Sequence, residues 1–143
     1  MIVLDTDHLS VLLGRRTDSQ VHLSERLSFA QREDSITATI VSIEEQCRGW
    51  LAAIRRAKNV VQQSQAYAHL ADLFVFYSDW NILTFTQHAG LEFQRLRKMG
   101  IRIGTQDLRI AVIVLEQDAL LLSANLRDFK QVPDLRVEDW LAH

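Results

Sequence analysis

The sequence predicts a three-layer α/β/α fold around a central, mostly parallel sheet of four to five strands. Two observations carry this expectation. Short apolar, β-branched runs recur along the chain, and stretches of helical period lie between them. A third supports it: Ile110-Ala111-Val112-Ile113-Val114-Leu115 is apolar nearly all round, as suits a helix lying deep against a sheet.

The elements follow in order. Ile2-Val3-Leu4 suits a strand covered on both faces, and Thr6 or Asp7 can cap a short helix through Leu12. Thr17 to Arg32 carries Val21, Leu23, Leu27 and Phe29 among polar residues and predicts a helix, with a second strand over Ser35 to Thr39. Ser42, with Glu45 three residues on, forms a capping-box pattern for a helix whose apolar stripe is Ile43, Cys47, Trp50 and Ile54. Gln62 to Tyr77 predicts another helix, Ile82-Leu83 a third strand, and Thr86 to Met99 a helix stopped by Gly100. Thr105 caps the apolar helix, Ala119 to Ser123 is a strand, and Leu135-Arg136-Val137 is a final edge strand after Pro133.

The chain has 143 residues, 48% apolar and 24% charged, enough to bury a core in one domain. Cys47 stands alone, which excludes an internal disulfide and Cys-based zinc sites and fits a reducing cytosol. The N-terminal apolar run is interrupted at once by Asp5, Asp7 and His8, so neither a signal peptide nor a membrane span is expected, and the protein is expected in the cytoplasm. The net charge of −2 argues against a chain that coats nucleic acid indiscriminately. The basic residues are bunched, however, at Arg15-Arg16, Arg55-Arg56-Lys58, Arg95-Arg97-Lys98 with Arg102, and Arg127-Lys130. A near-neutral total can hide a basic rim around an acidic centre, although solvated helix faces would read the same way.

Ligands of such sheets bind beyond the carboxyl ends of the strands, near a switch in strand order. Asp5, Glu44 or Glu45, Asp107, Asn125 and Asp128 fall at that edge. Each has an ordinary explanation, since acids in a first helical turn favour the macrodipole and Asp caps turns. Together they would repel one another unless a cation sat among them, and oxygen-only donors select Mg²⁺ or Mn²⁺. The five His residues (8, 22, 69, 88 and 143) contain no i, i+4 pair, which disfavours zinc.

These residues resemble those of PIN-domain proteins, and specifically the VapC-type toxins of bacterial toxin–antitoxin pairs. The resemblance is carried by Val3-Leu4-Asp5-Thr6-Asp7, by Ile43-Glu44-Glu45 followed by Gly49, and by Ile103-Gly104-Thr105-Gln106-Asp107-Leu108 with Ile110-Ala111. It continues through Ser123-Ala124-Asn125-Leu126-Arg127-Asp128-Phe129 and ends in Pro133 and Leu135-Arg136-Val137-Glu138-Asp139-Trp140. Carried over, it implies one PIN domain over residues 1–143 and an endoribonuclease dependent on Mg²⁺ or Mn²⁺. Its substrate would be structured RNA such as tRNA or rRNA loops, its inhibitor a cognate antitoxin, and its assembly a homodimer. Asp5, Glu45, Asp107 and Asp128 would be catalytic, and these four with Asn125 would hold the metal. The family's Glu precedes a Gly by four residues, which points to Glu45 over Glu44 because of Gly49. The chain departs from the family at Asn125, where Asp is common, and at Asp7, where Asn is common. Thr6 and Ser123 would steady the ligands, and Arg15, Arg16 and Arg109 would hold flanking phosphates.

Two other readings compete. Asp5-Thr6-Asp7-His8 also resembles the start of haloacid-dehalogenase-type phosphatases, but Leu9 stands where Thr or Val is required and the late acidic pair is missing. A PIN-like protein-binding module without activity is the other, supported by Asn125. Antitoxin docking would use the apolar stretch at Trp50, Leu51 and Ile54 or the helix bearing Leu70, Leu73 and Phe74, unless those residues pack the core.

Overall fold

The computed structural model describes residues 1–142, so His143 lies outside the described residues. Strands β1 (Ile2–Leu4), β2 (Ile36–Thr39), β3 (Ile82–Leu83), β4 (Leu120–Leu122) and β5 (Arg136–Glu138) form one sheet in the order β3-β2-β1-β4-β5. All four pairings are parallel, with Ile2 opposite both Ile36 and Leu120. The chain builds outward from β1 to β2 and β3, then returns to place β4 on the other side of β1. That reversal is the switch point of the sheet.

Among the described residues seven helices cover it: α1 (Thr6–Leu13), α2 (Asp18–Ala30), α3 (Ile40–Arg56), α4 (Val60–Tyr77), α5 (Gln87–Lys98), α6 (Thr105–Glu116) and α7 (Leu126–Phe129). Alternation along the strands sorts the core into two layers. Ile2, Leu4 and Leu122 pack with Leu9, Leu23, Leu27, Leu73 and Tyr77 from α1, α2 and α4. Val3 and Leu121 pack with Ala89 and Leu96 of α5, the run Ile110 to Val114 of α6, and Phe129 of α7. The three-layer α/β/α expectation therefore holds, and the interior of α6 from Ile110 to Val114 is buried on every side, as its composition implied. No helix among the described residues is long and apolar enough to cross a membrane.

The helix starts differ from expectation in a way that matters for the site. Asp5, not Thr6 or Asp7, caps α1, accepting from the Thr6 amide. Thr39, buried at the end of β2, caps α3 by accepting from the Ser42 amide at 3.2 Å, so that helix begins two residues before the expected capping box. Glu45 then lies six residues beyond the cap instead of three and is not used to close the helix end. Gly104, not Thr105, occupies the cap position of α6, where the Leu108 amide closes the first turn on the Gly104 carbonyl at 2.9 Å. Gly100 ends α5 at φ +95°, a conformation that favours glycine, and allows the Ile101 amide to return to the Leu96 carbonyl. The short α7 has no counterpart among the elements expected from the sequence.

Two substitutions probe these packing and capping roles by denaturant unfolding. Leu4→Ala, which opens a cavity at a fully buried strand position, should cost about 2–5 kcal/mol. Thr39→Ala, which removes the α3 cap together with a buried methyl group, should cost about 1–2 kcal/mol.

Candidate active site

Asp5 follows β1 and Ser123 follows β4, so the two residues face each other across the switch point. The Ser123 hydroxyl donates to Asp5 Oδ2 at 2.7 Å while the Thr6 amide donates to Oδ1 at 2.8 Å. Both Asp5 and Ser123 are buried. Burial is the main reason the Asp5 carboxyl is pushed up to about 6, with the neighbouring charges of Asp7 and Asp107 adding to it against the Ser123 and Thr6 hydrogen bonds.

Glu45 enters from the second turn of α3. Burial, followed by the charges of Asp5 and Asp107, pushes it up to about 7. Its Oε1 is buried without a hydrogen-bond partner. Glu44, the alternative considered from sequence, is committed elsewhere: its Oε1 accepts from Gln106 Nε2 at 2.8 Å, and its Oε2 pairs with Arg48 at 2.7 Å. Gly49 has open space where a Cβ would stand, so its spacing from Glu45 has no steric cause in this structure.

Asp107 sits in the first turn of α6 and is raised, first by burial and then by Asp128 and Asp7. Asn125 joins Asp107 to Asp128. One side-chain nitrogen donates to Asp107 Oδ2 at 3.0 Å and to Asp128 Oδ2 at 3.1 Å. The amide that replaces a fourth acid therefore supplies donors between two carboxylates, where another charge would add repulsion. Its backbone amide is held in turn by Ser123 Oγ at 3.0 Å.

Asp7 has a different task. Its Oδ1 accepts from the His8 amide and pairs with His8 Nδ1 at 2.6 Å, and its Oδ2 accepts from the Ala124 amide at 2.9 Å. Burial alone would raise Asp7, but these bonds outweigh it and hold the carboxyl below its ordinary value. His8, wholly buried, accepts on Nε2 from the Trp140 amide at 3.1 Å, which leaves Nδ1 as the protonated nitrogen. The pair thus ties the C-terminal segment to the start of α1. Sequence reasoning missed both this tie and Gln106. Gln106 had a readable signal, since it lies three residues before Arg109 on one face of α6.

Asp5, Glu45, Asp107, Asn125 and Asp128 are brought together at one edge of the sheet. Arg109 bonds Gln106 Oε1 at 2.6 Å and through it reaches Glu44, beside that group and not within it. Arg15 and Arg16 do not, since they follow the far end of α1, about 12 Å of helix from Asp5. Ser42 accepts from the Thr6 hydroxyl at 3.0 Å and fixes α1 to α3 beside the acids. The donor chemistry, oxygens that raise one another's proton affinity plus an orphaned Glu45 oxygen, fits a hard divalent cation. Among the described residues, no three His, Cys, Asp or Glu side chains form a ready ligand set, so the acids would have to draw inward around it.

A sheet of this order with acids at its switch point defines a PIN-like α/β/α domain. Within that class the resemblance is to VapC-type proteins and runs the length of the chain. It is 27% identical over 139 residues to Ribonuclease VapC1 of Haemophilus influenzae, covering 96% of each chain. It is 25% identical over 142 residues to Ribonuclease VapC2 of Rickettsia felis, again covering 96% of each. The fold matches a chain in the structure of VapBC-1 from nontypeable Haemophilus influenzae with a TM-score of 0.74 and 25% identity, over 98% of both chains. No protein-family model matches the chain.

The raised acids set a pH dependence. Asp5 and Glu45 bind protons more tightly in the folded chain than in the unfolded chain, so their contribution favours folding most below pH about 4 and is lost as pH rises through about 6 to 7. Without divalent metal, the melting temperature should therefore fall across that window. Glu45→Gln should flatten the fall, and an unchanged slope would contradict the crowding described above.

Proposed function

We propose that the chain is a ribonuclease that hydrolyses phosphodiester bonds in RNA at the acidic edge of the sheet. The observation that carries this reading is the gathering of Asp5, Glu45 and Asp107 at the switch point, where burial and then the charge of neighbouring acids raise all three. The VapC ribonucleases that the chain resembles over nearly its full length support the same activity.

Asp5, Glu45 and Asp107, with Asn125 and Asp128 at the margin, would hold Mg²⁺ or Mn²⁺. Such an ion supplies an acidified water and electrostatic relief for charge developing on the phosphate. Ser123 keeps Asp5 turned toward the crevice, and Asn125 keeps Asp107 and Asp128 together. Glu45, whose Oε1 is buried without a hydrogen-bond partner, would help hold the ion and orient the attacking water, whose proton would pass to solvent. The water oxygen bonds to phosphorus as the bond from phosphorus to the 3′ oxygen breaks. That oxygen would take a proton from solvent, giving a 5′-phosphate and a 3′-hydroxyl.

The substrate we infer is a structured RNA with an unpaired loop, of the tRNA or rRNA kind, because proteins read splayed bases in RNA. We further infer a cytoplasmic protein, assembled as a homodimer and inhibited by a cognate antitoxin, in keeping with the similarity to a chain of VapBC-1. The exposed residues of α3 and α4, Leu51 and Phe74 among them, offer apolar surface for that docking, whereas Leu73 is buried in the core.

Cleavage of total RNA should require Mn²⁺ or Mg²⁺ and stop with EDTA. Asp5→Asn and Asp107→Asn should each lower it by at least about a hundredfold while the protein stays folded. Metal-dependent cleavage undiminished in both variants would overturn the site.

A further inference from the structure

Beside the acids lies a feature that the hydrolysis does not use. An open cleft of about 520 Å³ lies between the start of α5 and α6, and its lining includes Phe85, Thr86, Gln87, Gln94 and Arg109. Phe85 lies against Gly90, where an added Cβ would stand 3.6 Å from the ring, yet the residue remains 40% exposed. Gln87 and Gln94 have no side-chain partner among the described residues. Arg109 gives one bond to Gln106, which leaves other N–H groups of the guanidinium for a ligand.

A relay of hydrogen bonds links the cleft to the acidic edge. Arg109 reaches Gln106 at 2.6 Å, Gln106 reaches Glu44 at 2.8 Å, and those two residues adjoin Asp107 and Glu45 in the chain. An exposed aromatic ring offers a stacking plane. Two unpaired amides offer donors and acceptors for a base edge, and a guanidinium suits phosphate or guanine. An acidic peptide would use the guanidinium alone and leave the ring and the amides without a role.

We propose that this cleft binds an unpaired nucleobase of the RNA, next to the phosphate that is cleaved, with Phe85 stacking on the base and Arg109 holding its phosphate. The inference rests on the ribonuclease reading for the identity of the substrate. Phe85 and Arg109 contribute binding and leave the hydrolysis to the acidic edge.

The test is fluorescence anisotropy of labelled single-stranded RNA decamers of each base, with Mg²⁺, in an Asp107→Asn background that limits cleavage. Phe85→Ala should weaken binding about tenfold and Phe85→Trp should restore it to within about twofold. Arg109→Ala should weaken binding and make it less dependent on salt, by about one phosphate contact. In the otherwise native protein, Phe85→Ala should raise KM and leave kcat within about threefold. If Phe85→Ala and Arg109→Ala both bind RNA as the parent does, the cleft is not a base site. It is equally excluded as a base site if antitoxin capture, and not RNA binding, depends on the two residues. If no RNA is cleaved by the native protein but Phe85-dependent binding persists, the cleft stands and the ribonuclease reading falls.

Discussion

Carboxylates crowded at the end of a buried parallel sheet repel one another, and much of the local structure answers to that repulsion. Asp5 is drawn into it by its place after β1, where burial disfavours its charge. Ser123, on the far side of the switch point, returns one hydrogen bond to it across 118 residues of sequence. Asn125 separates Asp107 from Asp128 with donors. Asp7 escapes because its oxygens are used by His8 and Ala124. What is left over, chiefly the buried unpartnered oxygen of Glu45, is the unbalanced part that a cation would answer.

The two adjacent glutamates show how position converts one residue type into two functions. Both stand near the start of α3, yet Glu44 is held between Gln106 and Arg48 at the surface, and Glu45 turns into the charge field of Asp5 and Asp107. The Glu44 bond to Gln106 ties α3 to α6, the helices that carry Glu45 and Asp107. It also ties Arg109 to the same edge, so the basic rim and the acidic centre are joined through neutral Gln106. A chain with net charge −2 can in this way present cations where a phosphate would need them.

Much of this was legible in the sequence because the fold depends on local pattern. Ile2-Val3-Leu4 and the wholly apolar interior of α6 could occupy only a sheet and a helix covered on every side. Once those were set, Asp5 and Asp107 had to emerge at one edge. The rest depended on contacts that no local pattern records. Glu44 is held by Gln106, 62 residues away, while its neighbour Glu45 is not. The cap of α3 went to Thr39 because that residue ends a buried strand with its hydroxyl free to accept, which the capping-box pattern at Ser42 concealed. The His8 contact with Trp140 spans 132 residues, and only the folded chain shows that it ties down the C-terminal segment.

The central claim is that Asp5, Glu45 and Asp107 form one site whose raised proton affinity reflects a place for a divalent cation. Calorimetric titration with Mn²⁺ in buffers of different ionisation enthalpy tests it most directly. Binding at pH about 6.5 should release protons, because Asp5 and Glu45 are still partly protonated there, and the release should vanish by pH about 8. Glu45→Gln should diminish the release at the lower pH. Mn²⁺ binding that releases no protons at either pH, or that survives unchanged in an Asp5→Asn, Asp107→Asn double variant, would contradict the account.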